Sequence, residues 1–112
     1  KNTLKILILG ITFKENCSDI RNTKIIDIYN NLKNKHHVDI FDPNAIADEI
    51  KNEYDVQLIK QKNKKENYYD CIVVAVAHKE FAKIDIEKYS KKDVCLIFDV
   101  KGIYNNKKYM RL

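Results

Sequence analysis

Two kinds of apolar spacing alternate along this chain. Leu4-Lys5-Ile6-Leu7-Ile8-Leu9 is a nearly continuous apolar run, the pattern of a buried strand. Ile25-Ile26-Asp27-Ile28-Tyr29-Asn30-Asn31-Leu32 repeats its apolar positions at three and four residues, which predicts a helix. Val38-Asp39-Ile40-Phe41-Asp42-Pro43 reads as a short strand ended by Asp-Pro, and Pro43 suits the first position of a second helix that reaches about Glu53. Val56 to Ile59 is a strand candidate at the sheet edge, and Lys64 to Asp70 reads as a loop or a short helix. The unbroken run Cys71-Ile72-Val73-Val74-Ala75-Val76-Ala77 predicts a central parallel strand buried on both faces. A segment from Lys79 to Lys91, with Phe81, Ile84, Ile86 and Tyr89, covers the sheet before the next central strand, Val94 to Asp99. The tail from Tyr104 to Leu112 is polar, with an apolar-flanked end able to dock back on the sheet.

Strands alternating with helices predict an α/β fold: a three-layer, Rossmann-like open sheet, mostly parallel, with helices on both faces. In such a sheet the carboxyl ends of the strands share one edge, and ligands bind there near the switch point. The residues just past those ends are Gly10 to Lys14, Asp42-Pro43, His78 and Asp99 to Gly102. The only two glycines, Gly10 and Gly102, both fall at such ends, where backbone must approach a ligand or another strand closely.

Composition narrows the function classes. A chain of 112 residues has room for one domain with one modest core. The net charge of +5 invites a nucleic-acid reading, but the lysines are scattered among asparagines and acids. Only Lys60 to Lys65 forms a run, which reads as a solvated loop and helix start, so no nucleic-acid partner is expected. No run of about 18 apolar residues exists, so no membrane span is expected. No leader-like pattern opens the chain, and a cytoplasmic location follows as an expectation. Three cysteines cannot all pair, so Cys71 and Cys95, inside apolar strand patterns, are expected to be free buried thiols. Without a C-x-x-C pair or a His-Cys cluster, no metal site is expected.

The candidate chemistry lies after the first strand, in Gly10 to Lys24. A glycine, a loop with Lys14 and a helix opening with Arg21 make an anion site, although the loop has neither the G-x-G-x-x-G series nor the Walker pattern. Ser18 or Asp19 is a good N-cap, which puts Arg21 in the first helical turn, against the positive end of the dipole. A bound anion would turn that cost into a gain. An ion pair of Arg21 with Glu15, Asp19 or a distant carboxylate accounts for it equally well.

The spacing Gly-x-x-Phe-Lys-x-x-x-x-Asp-x-Arg-x-[Ser/Thr]-Lys, directly after a strand, resembles the start of the C-terminal domain of the UDP-glucose/GDP-mannose dehydrogenases. The later His78 and Asp99-Val100-Lys101-Gly102 segments match as well, so the resemblance covers nearly the whole chain. It implies that residues 1–112 form the C-terminal nucleotide-sugar domain of a longer, homodimeric, NAD-dependent 6-dehydrogenase. Such enzymes oxidise a C6 alcohol to a carboxylate through a cysteine-bound intermediate, for polysaccharide and capsule synthesis. The wording is closer to the UDP-N-acetylhexosamine branch than to the UDP-glucose or GDP-mannose branches. The resemblance further implies that Phe13 and Lys14 contact the UDP-sugar and that Arg21 lies near the NAD, which the missing N-terminal domain mainly binds. Lys101 stands where many relatives carry a substrate-reaching arginine; it keeps the charge but loses the bidentate geometry. The nucleophilic cysteine belongs to an upstream domain, so no catalytic residue is expected here, Cys17 included, and the isolated domain should be inactive.

Other roles follow from the residues themselves. Phe13 is expected to be a core aromatic that fixes the loop, its backbone meeting the nucleotide that the resemblance implies, and Asp19 to cap the helix. His78 either bonds a ligand or acts as a base, or it packs at the strand end satisfied by backbone, the commoner outcome. His36 and His37 carry no role. Two rival classes remain: a non-catalytic doubly wound ligand-binding or regulatory module using the same edge, and a small nucleic-acid binder with salt-dependent affinity. A receiver domain is disfavoured, because no acidic pair follows the first strand.

Overall fold

Ile6 and Ile8 point to one face of the first strand and Leu7 and Leu9 to the other, and all four are buried. The strand that carries them, β1 (Lys5–Leu9), therefore lies inside the sheet rather than at its edge. The computed structural model describes residues 3–21, 23–60, 65–91, 96–104 and 109–110. Its further elements are α1 (Ile25–Lys33), β2 (His37–Phe41), α2 (Ala47–Tyr54), β3 (Cys71–Val74), two 3-10 helices (Lys79–Lys83 and Ile86–Tyr89) and β4 (Leu96–Asp99).

The strands form one 4-stranded sheet in the order β2-β1-β3-β4. All pairings are parallel, with Ile8 opposite Ile40 on one side and opposite Val73 on the other. Chain order reverses between β1 and β3, which makes their carboxyl ends the switch point of an open sheet. Ile26 of α1 and Ile50 of α2 pack with Ile6, Ile8 and Ile40 on one face. Phe81, Ile86 and Tyr89 of the 3-10 helices pack with Leu7, Leu9, Ile72 and Ile97 on the other. The three-layer α/β architecture is the expected one, except that its second face is covered by 3-10 turns among the described residues. Each fully buried Leu or Ile in these layers contributes about 1.5–3 kcal/mol.

Several boundaries differ from those expected. α1 starts at Ile25, where the Thr23 hydroxyl accepts the Ile25 N–H (3.2 Å), so Arg21 lies ahead of the helix and neither Ser18 nor Asp19 caps it. α2 starts at Ala47 rather than at Pro43, because the carboxylate of Asp42 gathers the N–H groups of Asn44 and Ala45 and holds a turn there. Val56 to Ile59 makes no strand; it donates one bond to the sheet, Ile59 N–H to Ile40 O at 2.9 Å. β3 stops at Val74, since the N–H groups of Ala75 and Val76 both turn toward the carbonyl of Leu9 (2.9 and 3.4 Å).

That turn explains Gly10. Its φ is +105°, and a Cβ there would lie 2.6 Å from Cβ of Val76. The close approach is to another chain segment. Gly102 likewise has a positive φ, +67°, in the turn after β4. The tail docks as expected: Met110 bridges to Phe98 beside β4, donating to Ile97 O (3.0 Å) and accepting from Asp99 N–H (2.7 Å). Val94, Cys95 and most of the lysine run lie outside the described residues. No helix among the described residues is long and apolar enough to cross a membrane.

Candidate functional site

At the switch point two strand-end loops meet over one buried carboxylate. Asp42, just past β2, takes the N–H groups of Ile11 (2.7 Å) and Thr12 (3.2 Å) and Nε2 of His78 (2.9 Å) on Oδ2. Oδ1 takes the N–H groups of Asn44 (2.8 Å) and Ala45 (3.0 Å). Burial alone would push this carboxyl up; the bonds from His78, Ile11 and Asn44 outweigh it and hold it below the usual carboxylate value.

His78, fully buried, is satisfied at both nitrogens. Nδ1 faces the backbone N–H of Asn16 at 2.9 Å, a group that can only donate, so the network assigns the proton to Nε2. Nε2 also lies 3.1 Å from the Thr12 hydroxyl, which donates to Lys14 O (3.0 Å). The packed reading of His78 thus holds, with a carboxylate and a backbone N–H as its partners. It offers no face to a ligand in this arrangement.

The loop that follows β1 is closed by Phe13 N–H donating to Asp19 O (2.6 Å). Closure turns Ile11 and Ile20 inward and leaves Phe13 outward, 56% exposed. Phe13 is therefore not a core aromatic, and its N–H is already engaged; the ring is what it presents. Lys14 is exposed next to it. Arg21 is exposed too and pairs with Asp19, Nε to Oδ1 at 3.1 Å and Nη2 to Oδ2 at 2.9 Å. Of the ion-pair partners named for Arg21, Asp19 is the one engaged. The guanidinium holds the Asp19 carboxyl down at about 2.

Lys101 is exposed in the turn after β4. The buried Asp99 carboxylate shapes that turn by accepting the N–H groups of Ile103 (3.1 Å) and Tyr104 (2.8 Å). Asp42 and Asp99 thus play the same part at two strand ends. Two strand spacings, about 10 Å, separate the loop ends of β1 and β4. Phe13, Lys14 and Lys101 therefore share one edge, while Arg21 stands where the loop leaves that edge. Cys17 is partly buried, and its Sγ accepts Asp19 N–H at 3.3 Å. Among the described residues Cys17 and Cys71 are free thiols, and no cluster of three His, Cys, Asp or Glu side chains could hold a metal. The spacing placed Asp42 at a strand end and Asn16 inside the Gly10 to Lys24 segment, but assigned neither a part in the site.

The family model described as "UDP-glucose/GDP-mannose dehydrogenase family, UDP binding domain" matches residues 7–106. The chain belongs to this family. It is 46% identical over 102 residues to a UDP-N-acetyl-D-glucosamine 6-dehydrogenase of Salmonella typhi, covering 88% of this chain and 23% of the relative. It is 39% identical over 101 residues to Protein CapL of Staphylococcus aureus, covering 88% and 23%. The chain thus spans about a quarter of the length of the curated relatives it matches. Solved structures share the fold, and two serve as examples. One is the UDP-N-acetyl-mannosamine dehydrogenase Cap5O from Staphylococcus aureus, at TM-score 0.69 and 21% identity, over 99% of this chain and 26% of that one. The other is a ternary complex of GDP-mannose dehydrogenase from Pseudomonas aeruginosa, at TM-score 0.73 and 17% identity, over 99% and 28%.

Proposed function

We propose that this chain is the UDP-sugar-binding C-terminal domain of a longer NAD-dependent nucleotide-sugar 6-dehydrogenase, of the UDP-N-acetylhexosamine branch, acting in polysaccharide synthesis. The observation that carries the reading is the exposed Phe13-Lys14 pair at the switch-point edge of a domain that belongs to this family. Lys14 supplies a point charge to the diphosphate, the Phe13 ring offers an apolar face to the nucleoside, and Lys101 reaches in from the β4 side. Arg21 exchanges Asp19 for an anionic group near the NAD; its side chain is 84% exposed, so the pair with Asp19 lies open to such a group.

The described residues fit a contact to NAD rather than a cradle, since no glycine-rich phosphate loop opens a helix among them. NAD supplies the hydride acceptor when bound, mainly by the rest of the polypeptide. The nucleophile comes from there as well, Cys17 being held as an acceptor for Asp19 N–H. The dehydrogenase is a cytoplasmic homodimer in this reading, and the 112-residue piece by itself reduces no NAD. The test is an NMR titration with UDP, with GDP and inorganic phosphate as controls. Shifts at Phe13, Lys14 and Lys101 with UDP, lost in Lys14→Ala, are expected. Absence of UDP shifts in both the domain and the full-length protein would overturn the reading.

A further inference from the structure

The loop bearing Phe13 and Lys14 is clasped to the end of β3 by a reciprocal pair of hydrogen bonds. Asn16 N–H donates to Nδ1 of His78 (2.9 Å), and Lys79 N–H donates to Oδ1 of Asn16 (2.8 Å). Asn16 reaches this position with φ +58°, a left-handed conformation that asparagine tolerates. The other side of the imidazole is anchored, through Nε2, to Asp42 and Thr12. The Thr12 hydroxyl in turn holds the carbonyl of Lys14. Lys14 is thereby fixed from both sides by groups that all lead to one buried histidine.

We propose that His78 is a positioning residue for nucleotide binding. Its Nδ1 lone pair, acting through Asn16, sets the path of the loop that presents Phe13 and Lys14 to UDP, and His78 itself never touches the ligand. The inference rests on the reading that this loop contacts UDP. Its physical basis is preorganisation. Once Phe13 N–H has closed the loop on Asp19 O, residues 14–18 have the His78 clasp to order them, and any residue left unordered must be ordered at the expense of affinity.

Two substitutions divide the imidazole. The Oδ1 of asparagine occupies the position of histidine Nδ1, so His78→Asn keeps the acceptor for Asn16 and loses the donor to Asp42. The Nε2 of glutamine occupies the position of histidine Nε2, so His78→Gln keeps that donor and loses the acceptor. His78→Leu keeps neither. The experiment is calorimetric UDP titration of the full-length protein and the three variants, with thermal melting in parallel. His78→Gln and His78→Leu are expected to bind UDP roughly tenfold more weakly, and His78→Asn to stay within about threefold of wild type, whatever the order of melting temperatures. If His78→Leu fails to fold, the contrast between Asn and Gln carries the test. His78→Asn binding UDP no better than His78→Gln would overturn the proposal. Wild-type protein that binds UDP equally with all variants removes this inference alone; wild-type protein that binds no UDP removes the functional reading with it.

Discussion

His78 Nε2 and Asp42 Oδ2 meet at 2.9 Å with both side chains fully buried, across a separation of 36 residues. Because β2 and β3 flank β1, this one bond ties the two outer strand ends over the end of the middle strand. The loop that leaves β1 is then folded against it, through Ile11 and Thr12 to Asp42 and through Asn16 to His78. A polar network fully satisfied in this way rigidifies, and each member lost leaves several groups unpaired.

Asp42→Ala strands four backbone N–H groups and the His78 proton, so it should cost about 3–5 kcal/mol of stability. Asp42→Asn retains acceptor capacity and should cost less. Urea unfolding followed by circular dichroism measures both. A loss within the scatter of ordinary surface substitutions, about 0.5 kcal/mol, would show the network to be dispensable.

The acid limb of the stability profile should bear the mark of Asp42. Its folded pKa lies below the ordinary carboxylate value of about 3.9, so its contribution is complete above that value and is lost as pH falls through the folded one. Stability therefore rises with pH across that window. Asp70, held by Lys5 N–H and Lys91, acts with the same sign. Asp42→Asn should flatten the urea midpoint between about pH 5 and pH 2 without abolishing the slope. Parallel curves for wild type and variant would contradict the assignment.

Lys14→Ala should separate binding from folding. The side chain is exposed, so the melting temperature stays put while UDP affinity falls by roughly tenfold or more, the loss of one charge-assisted bond. Calorimetry on the same preparation reads the affinity, and unchanged binding would remove Lys14 from the site.

Arg21→Ala tests the other arm of the site. The Arg21–Asp19 pair is exposed and should leave the unfolding midpoint unmoved when broken. In the full-length dehydrogenase proposed above, it should raise KM for NAD while leaving KM for the UDP-sugar unchanged. The opposite split would assign Arg21 to the substrate.

Gly10→Ala meets two obstacles at once, a φ of +105° and a Cβ 2.6 Å from that of Val76. A destabilisation of roughly 2–4 kcal/mol is expected, at the severe end for a single methyl group. Thermal melting decides it: a shift of under about 4 °C would mean that the strand ends move apart easily.

Much of this molecule is legible in its apolar spacing. The runs at Leu4 to Leu9 and Cys71 to Ala77 announce the strands β1 and β3, the second ending earlier than its run, and Ile25 to Leu32 announces a helix, because burial on two faces or on one stripe leaves a periodic trace within a few residues. The positions of Gly10, Phe13, Lys14 and Lys101 at one sheet edge follow from the parallel order alone. What spacing could not supply is the pairing of buried polar groups. Asp42 meets Ile11 and His78, and His78 meets Asn16, across separations of 31, 36 and 62 residues, and no local pattern encodes which donor will face which acceptor. The local bonds from Asn44 and Ala45 N–H to Asp42 move the start of α2 from Pro43 to Ala47, while closure of the loop by Phe13 N–H on Asp19 O turns the Phe13 ring outward. Asp19, expected to cap α1, instead takes the guanidinium of Arg21, for a carboxylate goes to the donors that the folded loop brings within reach.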